Sequence, residues 1–146
     1  MKLYHFCAPQ FLRSIQERGL ILGVTPFRVD ENKTSFLRYT QWMTVNPSFE
    51  QSWNGMVTVK YDRTAFRLTY AIPKGERSHV LTWQELKARM QRSLGENCIP
   101  IGFDNHDYCD PDNWRIFMGR VKPGWLRGVT AKADAVKTVD LTQKAG

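Results

Sequence analysis

Apolar and polar positions along this chain change places in short runs, most of them with the two-residue period of a half-buried strand. Leu3 to Cys7 alternates and is rich in aromatic residues, which predicts a short first strand. The period then changes. Pro9 stands at a first helical position, Phe11, Leu12 and Ile15 make an i, i+1, i+4 stripe, and Gly19 supplies a C-terminal stop. Leu20 to Val24 is a short apolar run that Thr25-Pro26 breaks, and Asp30-Glu31-Asn32-Lys33 reads as a solvent-facing turn. Ser35 to Val45, with Phe36, Tyr39, Trp42 and Val45, contains a strand, and Asn46-Pro47 opens a helical turn through Trp53. Asn54-Gly55 is a turn signal, and Met56 to Tyr61 reads as extended. From Ala65 to Ile72 the alternation is regular: Phe66, Leu68, Tyr70 and Ile72 face Arg67, Thr69 and Ala71 across the strand, and Pro73 ends it.

The best-specified element follows. Thr82 caps a helix, Glu85 completes a capping box, and Leu81 with Leu86 forms a hydrophobic staple. Trp83, Leu86, Met90 and Leu94 make its apolar face, and Gly95 stops it. Trp114 to Val121 alternates as a strand that leaves through Lys122-Pro123-Gly124, and Trp125-Leu126 tucks a short turn onto the core. From about Thr130 the chain reads as an edge strand and a frayed tail. Strands outnumber helices and lack the long crossover helices of a doubly wound fold, so the class is α+β. At 146 residues the chain is one domain, with residues 1–130 as its body and 131–146 as edge strand or tail.

Composition narrows the setting. Apolar residues make up 42%, enough for a packed core, yet no apolar run approaches the ~20 residues of a membrane span. The opening Met1-Lys2-Leu3-Tyr4-His5-Phe6 lacks the long apolar stretch and cleavage site of a secretory signal. Three cysteines, Cys7, Cys98 and Cys109, make no disulfide framework and point to a reducing, cytoplasmic compartment. Twenty-one Lys and Arg against fourteen Asp and Glu give a charge of +7, which favours polyanionic partners such as nucleic acid. Positions 104–112 form an acidic island in this basic chain.

Leu3-Tyr4-His5-Phe6, followed by Ile15 and by Gly19-Leu20, resembles the opening of the ADP-ribosyltransferase-like superfamily, most nearly the DNA-targeting ADP-ribosyltransferase toxins and their relatives. Ile116-Phe117-Met118-Gly119-Arg120-Val121-Lys122-Pro123 resembles the last core strand of that family and its exit. Together the two stretches cover about a quarter of the chain. The resemblance implies split, twisted antiparallel sheets with two or three short helices, and NAD as the bound substrate. It also implies a first-strand histidine, here His5 beside Tyr4, that holds the NAD ribose, and a nucleic acid or a protein as acceptor.

Physical chemistry fits the other parts. A histidine on a strand can donate to ribose hydroxyls, Tyr39 or Trp42 can stack on nicotinamide or adenine, and Arg28 or Arg67 can clamp a pyrophosphate. The chain departs from the family at the late strand, where the transferases carry a catalytic glutamate and this sequence reads Asp112-Asn113-Trp114. Asp112 is the nearest carboxylate, with a shorter reach. The Arg-His-Arg-Arg set of the RNA 2′-phosphotransferases, which share the broader fold, is not found either. A second reading therefore stands beside the first: a non-catalytic binding protein, such as a phage-type or defence-related inhibitor of a nucleic-acid or protein complex.

Three further constellations carry less. Asp104, His106, Asp107, Cys109, Asp110 and Asp112 lack calcium-loop spacing, and Cys98, His106 and Cys109 match no zinc spacing, so no metal is assigned. No local signature makes Cys7, Cys98 or Cys109 a nucleophile beside His5, His79 or His106. Aromatics interleaved with arginine, as in Arg38-Tyr39-Thr40-Gln41-Trp42 and Trp114-Arg115-Ile116-Phe117, suit single-stranded nucleic acid, but a core face opposite a wet face gives the same pattern.

Overall fold

The structure, a computed structural model, describes residues 1–30, 32–50, 62–101 and 111–135. Nine strands and two α-helices follow one another in this part of the chain up to Ala131, and residues 132–135 are helical as well. They are β1 (Lys2–Cys7), α1 (Pro9–Arg18), β2 (Val24–Asp30), β3 (Lys33–Arg38), β4 (Thr40–Thr44), β5 (Phe66–Ala71), β6 (Val80–Thr82), α2 (Trp83–Leu94), β7 (Ile99–Pro100), β8 (Trp114–Met118) and β9 (Leu126–Ala131). Short 3₁₀ turns occupy Lys74–His79, Pro111–Asn113 and Pro123–Trp125. Six strands form one sheet in the order β6-β8-β4-β1-β5-β9, and three form a second in the order β3-β2-β7. Every pairing is antiparallel. The molecule is thus a mixed α and β protein of antiparallel sheets and few helices. No helix among the described residues is long and apolar enough to cross a membrane.

The larger sheet is covered on both faces. On one, α1 lays Leu12 and Ile15 against Leu3, Cys7, Met43, Leu68, Tyr70 and Phe117. On the other, α2 brings Trp83, Leu86 and Met90 onto Leu81 and Ile116, and the small sheet adds Phe27 and Leu37. Successive residues of β8 turn to opposite faces, so Ile116 and Phe117 are both buried, one in each core.

Local chemistry explains most boundaries. Thr82 accepts from the Glu85 amide while Glu85 accepts from the Thr82 amide, the reciprocal box that opens α2. Leu94, at the far end of the helix, is 41% exposed and lies outside the apolar face. At the end of α1, Gly19 has φ +80, and a Cβ there would collide with the Val121 carbonyl. Leu20 then bridges to Val121, which ties the start of the chain to the exit of β8.

Several expected boundaries differ. Pro26 does not break the chain but lies inside β2, the middle strand of the small sheet. Its carbonyl accepts from the Ile101 amide, so its missing donor faces the side where the two-residue β7 ends and leaves the β3 ladder intact. The Ser35–Val45 strand is two strands, β3 and β4, parted at Tyr39 with φ 61. Asn46 opens no helix within residues 46–50; its side chain accepts from the Ser48 amide in a local turn. β9 is an edge strand, but it starts at Leu126 and ends at Ala131, where the sequence reading placed the edge strand from about Thr130, and residues 132–135 are helical. The Asn54-Gly55 turn, the Met56–Tyr61 segment and the tail from residue 136 lie outside the described residues.

Candidate functional site

The site is assembled around the seam between β1 and β4. These neighbours are registered at Tyr4 with Thr44, next to a β1–β5 ladder of six consecutive pairs. Beyond that pair a side chain fills the place of a ladder bond. His5 Nδ1 donates to the Trp42 main-chain carbonyl over 2.9 Å. Because a carbonyl only accepts, the proton sits on Nδ1. Burial holds the His5 pKa below its ordinary value, against the Trp42 carbonyl that raises it, and the Arg63 charge depresses it further. The ring is therefore neutral near pH 7 and leaves Nε2 as an acceptor, not the ribose donor anticipated above.

Register defines the opposite face. Directly paired residues point the same way, so Gly128, Thr69, Tyr4, Thr44 and Trp114 form one row across five strands. Arg67, paired with Phe6 and with Thr130, shares that face. Its guanidinium lies 5.7 Å from the Tyr4 ring centroid and 5.0 Å from that of Phe49, and Phe49 meets Phe6 edge-on at 5.6 Å. Nη1 donates to the Pro47 carbonyl over 2.8 Å and Nη2 reaches Thr130 Oγ1 at 3.5 Å. Buried Nε finds no partner among the described residues. An arginine held between two rings, with a dry donor to spare, suits a planar or anionic group.

Two-residue alternation separates Tyr4 from His5. Tyr4, Trp42 and Arg67 share the face turned toward α2, whereas His5 stands with Leu3 and Cys7 on the α1 face and reaches the seam at its edge. Trp42 is engaged elsewhere. Its indole N–H is shared between the Val24 carbonyl at 3.2 Å and Thr25 Oγ1 at 3.1 Å, and its ring packs on Trp83 at 5.4 Å and Trp114 at 6.4 Å. It fastens one sheet to the other and is not placed as a stacking platform. Arg28 is exposed on β2, and Tyr39 lies at the β3–β4 junction under Arg120, so neither joins the Tyr4–Arg67 group.

Asp112 is exposed in the 3₁₀ turn before β8, where its main-chain carbonyl accepts from Arg115 Nη1 at 2.6 Å. The first position of β8 belongs to Trp114, only 8% exposed. Thr44 and Phe49 escaped the sequence reading, as did Gln41. Phe49 follows an Asx turn that no periodicity marks. Gln41 lies in a strand, yet its amide spans two loops, accepting from the Gly23 amide and donating to the Gly119 carbonyl, each over 2.9 Å. Asp104, His106, Asp107, Cys109 and Asp110 fall outside the described residues.

No protein-family model, curated protein or solved structure matches this chain.

Proposed function

We propose that this chain is an NAD-binding domain of ADP-ribosyltransferase-like kind, with the nucleotide taken at the β1–β4 seam. Arg67 carries the reading. It is a half-buried cation between the rings of Tyr4 and Phe49, with an Nε–H that has no partner among the described residues and with the hydroxyl-bearing Thr69 on the same face. In this reading Arg67 faces the pyrophosphate and Tyr4 lies against a nucleotide ring, while His5, on the other face of the sheet, holds the seam beneath them through its bond to the Trp42 carbonyl. Two antiparallel sheets with α1 and α2 on opposite faces suit that architecture.

A second reading draws on a separate observation. The start of β8 carries buried Trp114 where a transferase needs a carboxylate, and Asp112 lies outside the strand. A domain that binds without cleaving fits that arrangement. Calorimetric titration with NAD beside an assay of released nicotinamide separates the two. Wild type is expected to bind, and Arg67→Lys, which keeps the charge but loses the planar fork, is expected to bind roughly tenfold more weakly, about 1.4 kcal/mol. Nicotinamide release would make the protein an enzyme. Binding without release would favour the second reading, and the absence of any NAD heat would end the first.

A further inference from the structure

Exposed large apolar side chains gather around the small sheet: Leu22, Val24, Val29, Phe36, Tyr39 and Ile99 are all exposed. Register sorts the strands into two faces. Thr25, Phe27 and Leu37 turn inward, Thr25 fully buried and the other two against the second core. Val24, Pro26 and Arg28 of β2 pair with Arg38, Phe36 and Thr34 of β3, and Ile99 of β7 pairs with Arg28, so all seven point outward. Phe36 is 59% exposed and Ile99 62%. Phe36 thus sits with Arg38 two residues along its own strand and Arg28 diagonally across. The end of β3 continues this order, for Tyr39 is 47% exposed with the Arg120 guanidinium 5.5 Å over its ring. Tyr39 is also the only non-glycine residue with positive φ among the described residues. Asp30, the carboxylate of β2, stands at the hairpin tip, where Oδ1 caps the turn by accepting from the Asn32 amide.

We propose that this outer face of β3-β2-β7, with the Tyr39–Arg120 pair at its end, binds single-stranded nucleic acid. The structure divides the aromatic and basic run noted in the sequence. Trp42 and Trp114 belong to the core, whereas Arg38 and Tyr39 remain at the surface. Exposed rings alternating with guanidinium groups on a sheet provide bases with a stacking surface and phosphates with cations. Arginines without an interspersed carboxylate complement a polyanion, and the chain's charge of +7 has the same sign. A duplex keeps its bases stacked inside and gains only the electrostatic part.

Fluorescence anisotropy with labelled oligo-dT, oligo-U and a duplex, each of about 16 nucleotides, tests this at two salt concentrations. Wild type is expected to prefer a single strand to the duplex, and the better of dT and U shows which sugar is accommodated. Phe36→Ala is expected to weaken single-strand binding roughly tenfold or more, with Phe36→Tyr restoring it. Arg28→Ala with Arg38→Ala is expected to lower the salt slope by about 1 to 2. These side chains are exposed, so all variants should keep wild-type melting, and their NAD heats should be unchanged because the sites lie on different sheets. Equal affinity for strand and duplex with no effect of Phe36→Ala would leave charge alone and overturn the proposal. No binding to any oligonucleotide overturns it too and would leave the face to a protein partner.

Discussion

At the scale of the residue, His5 links the fold to the candidate chemistry. Its Nδ1–H is committed to Trp42, and burial keeps the ring neutral in the folded chain. In the unfolded chain His5 titrates at its ordinary value of 6.5. The unfolded state therefore binds more protons in the window below that value, and stability must fall as pH falls through it. We expect the melting temperature to drop between pH about 7 and about 5, by more in wild type than in His5→Gln, which cannot titrate. Parallel melting curves for the two proteins across this range would show that His5 does not cause the loss. That Tyr4 and His5 face opposite ways follows from alternation along a strand, although the sequence reading placed both at the nucleotide. That Trp42 belongs to the core was not legible in the sequence. Its role depends on Val24 and Thr25, eighteen and seventeen residues away, and on Trp83 and Trp114, which no local pattern brings near.

Elements differ in how far their sequence alone specifies them. The bounds of α2 were legible because their signals are local, Thr82, Glu85, Leu81 with Leu86, and Gly95 with φ +103, whereas the exposure of Leu94 was not. Thr82→Ala removes the hydroxyl that accepts from the Glu85 amide and is expected to cost about 1 kcal/mol in urea unfolding, with an unchanged m-value. Restoration by Thr82→Ser would assign the loss to the cap. β3 and β4 ran together in the sequence reading because Tyr39 is a poor predictor of a left-handed turn. Tertiary bonds impose that conformation: the Tyr39 carbonyl accepts from the Gly119 amide over 2.7 Å, and the Thr40 amide donates to the Gly23 carbonyl. Pro26 misled for a related reason. Its cost depends on which neighbour lies on its N–H side, and strand order is not written in local sequence.

For the whole molecule, the mixed class followed from many short alternating runs without long crossover helices, antiparallel sheets were implied only by the family resemblance, and the order of strands was not legible. Edge strand β9 shows what that order implies for stability. It covers β5 through the Arg67–Thr130 and Leu68–Val129 pairs, and just past it Lys132 Nζ reaches Asp62 at 3.2 Å and Thr64 at 2.9 Å. Burial raises the Asp62 pKa, but the Thr64 hydroxyl and amide and Lys132 outweigh it and hold it below the ordinary value. We expect a chain ending at Lys122 to lose cooperative unfolding, since Leu68 and Tyr70 would lie beside an uncovered edge. A sharp single transition in calorimetry would show that β9 is dispensable. The place of β1 bears on biosynthesis as well. A ribosome delivers this strand before the rest of its sheet, yet β4 and β5 flank it, and β8 and the edge strand β9 come last. The sheet therefore cannot close from one end as the chain emerges. Its first strand must wait for partners still being translated, and the nascent protein is then most exposed to chaperones and to aggregation.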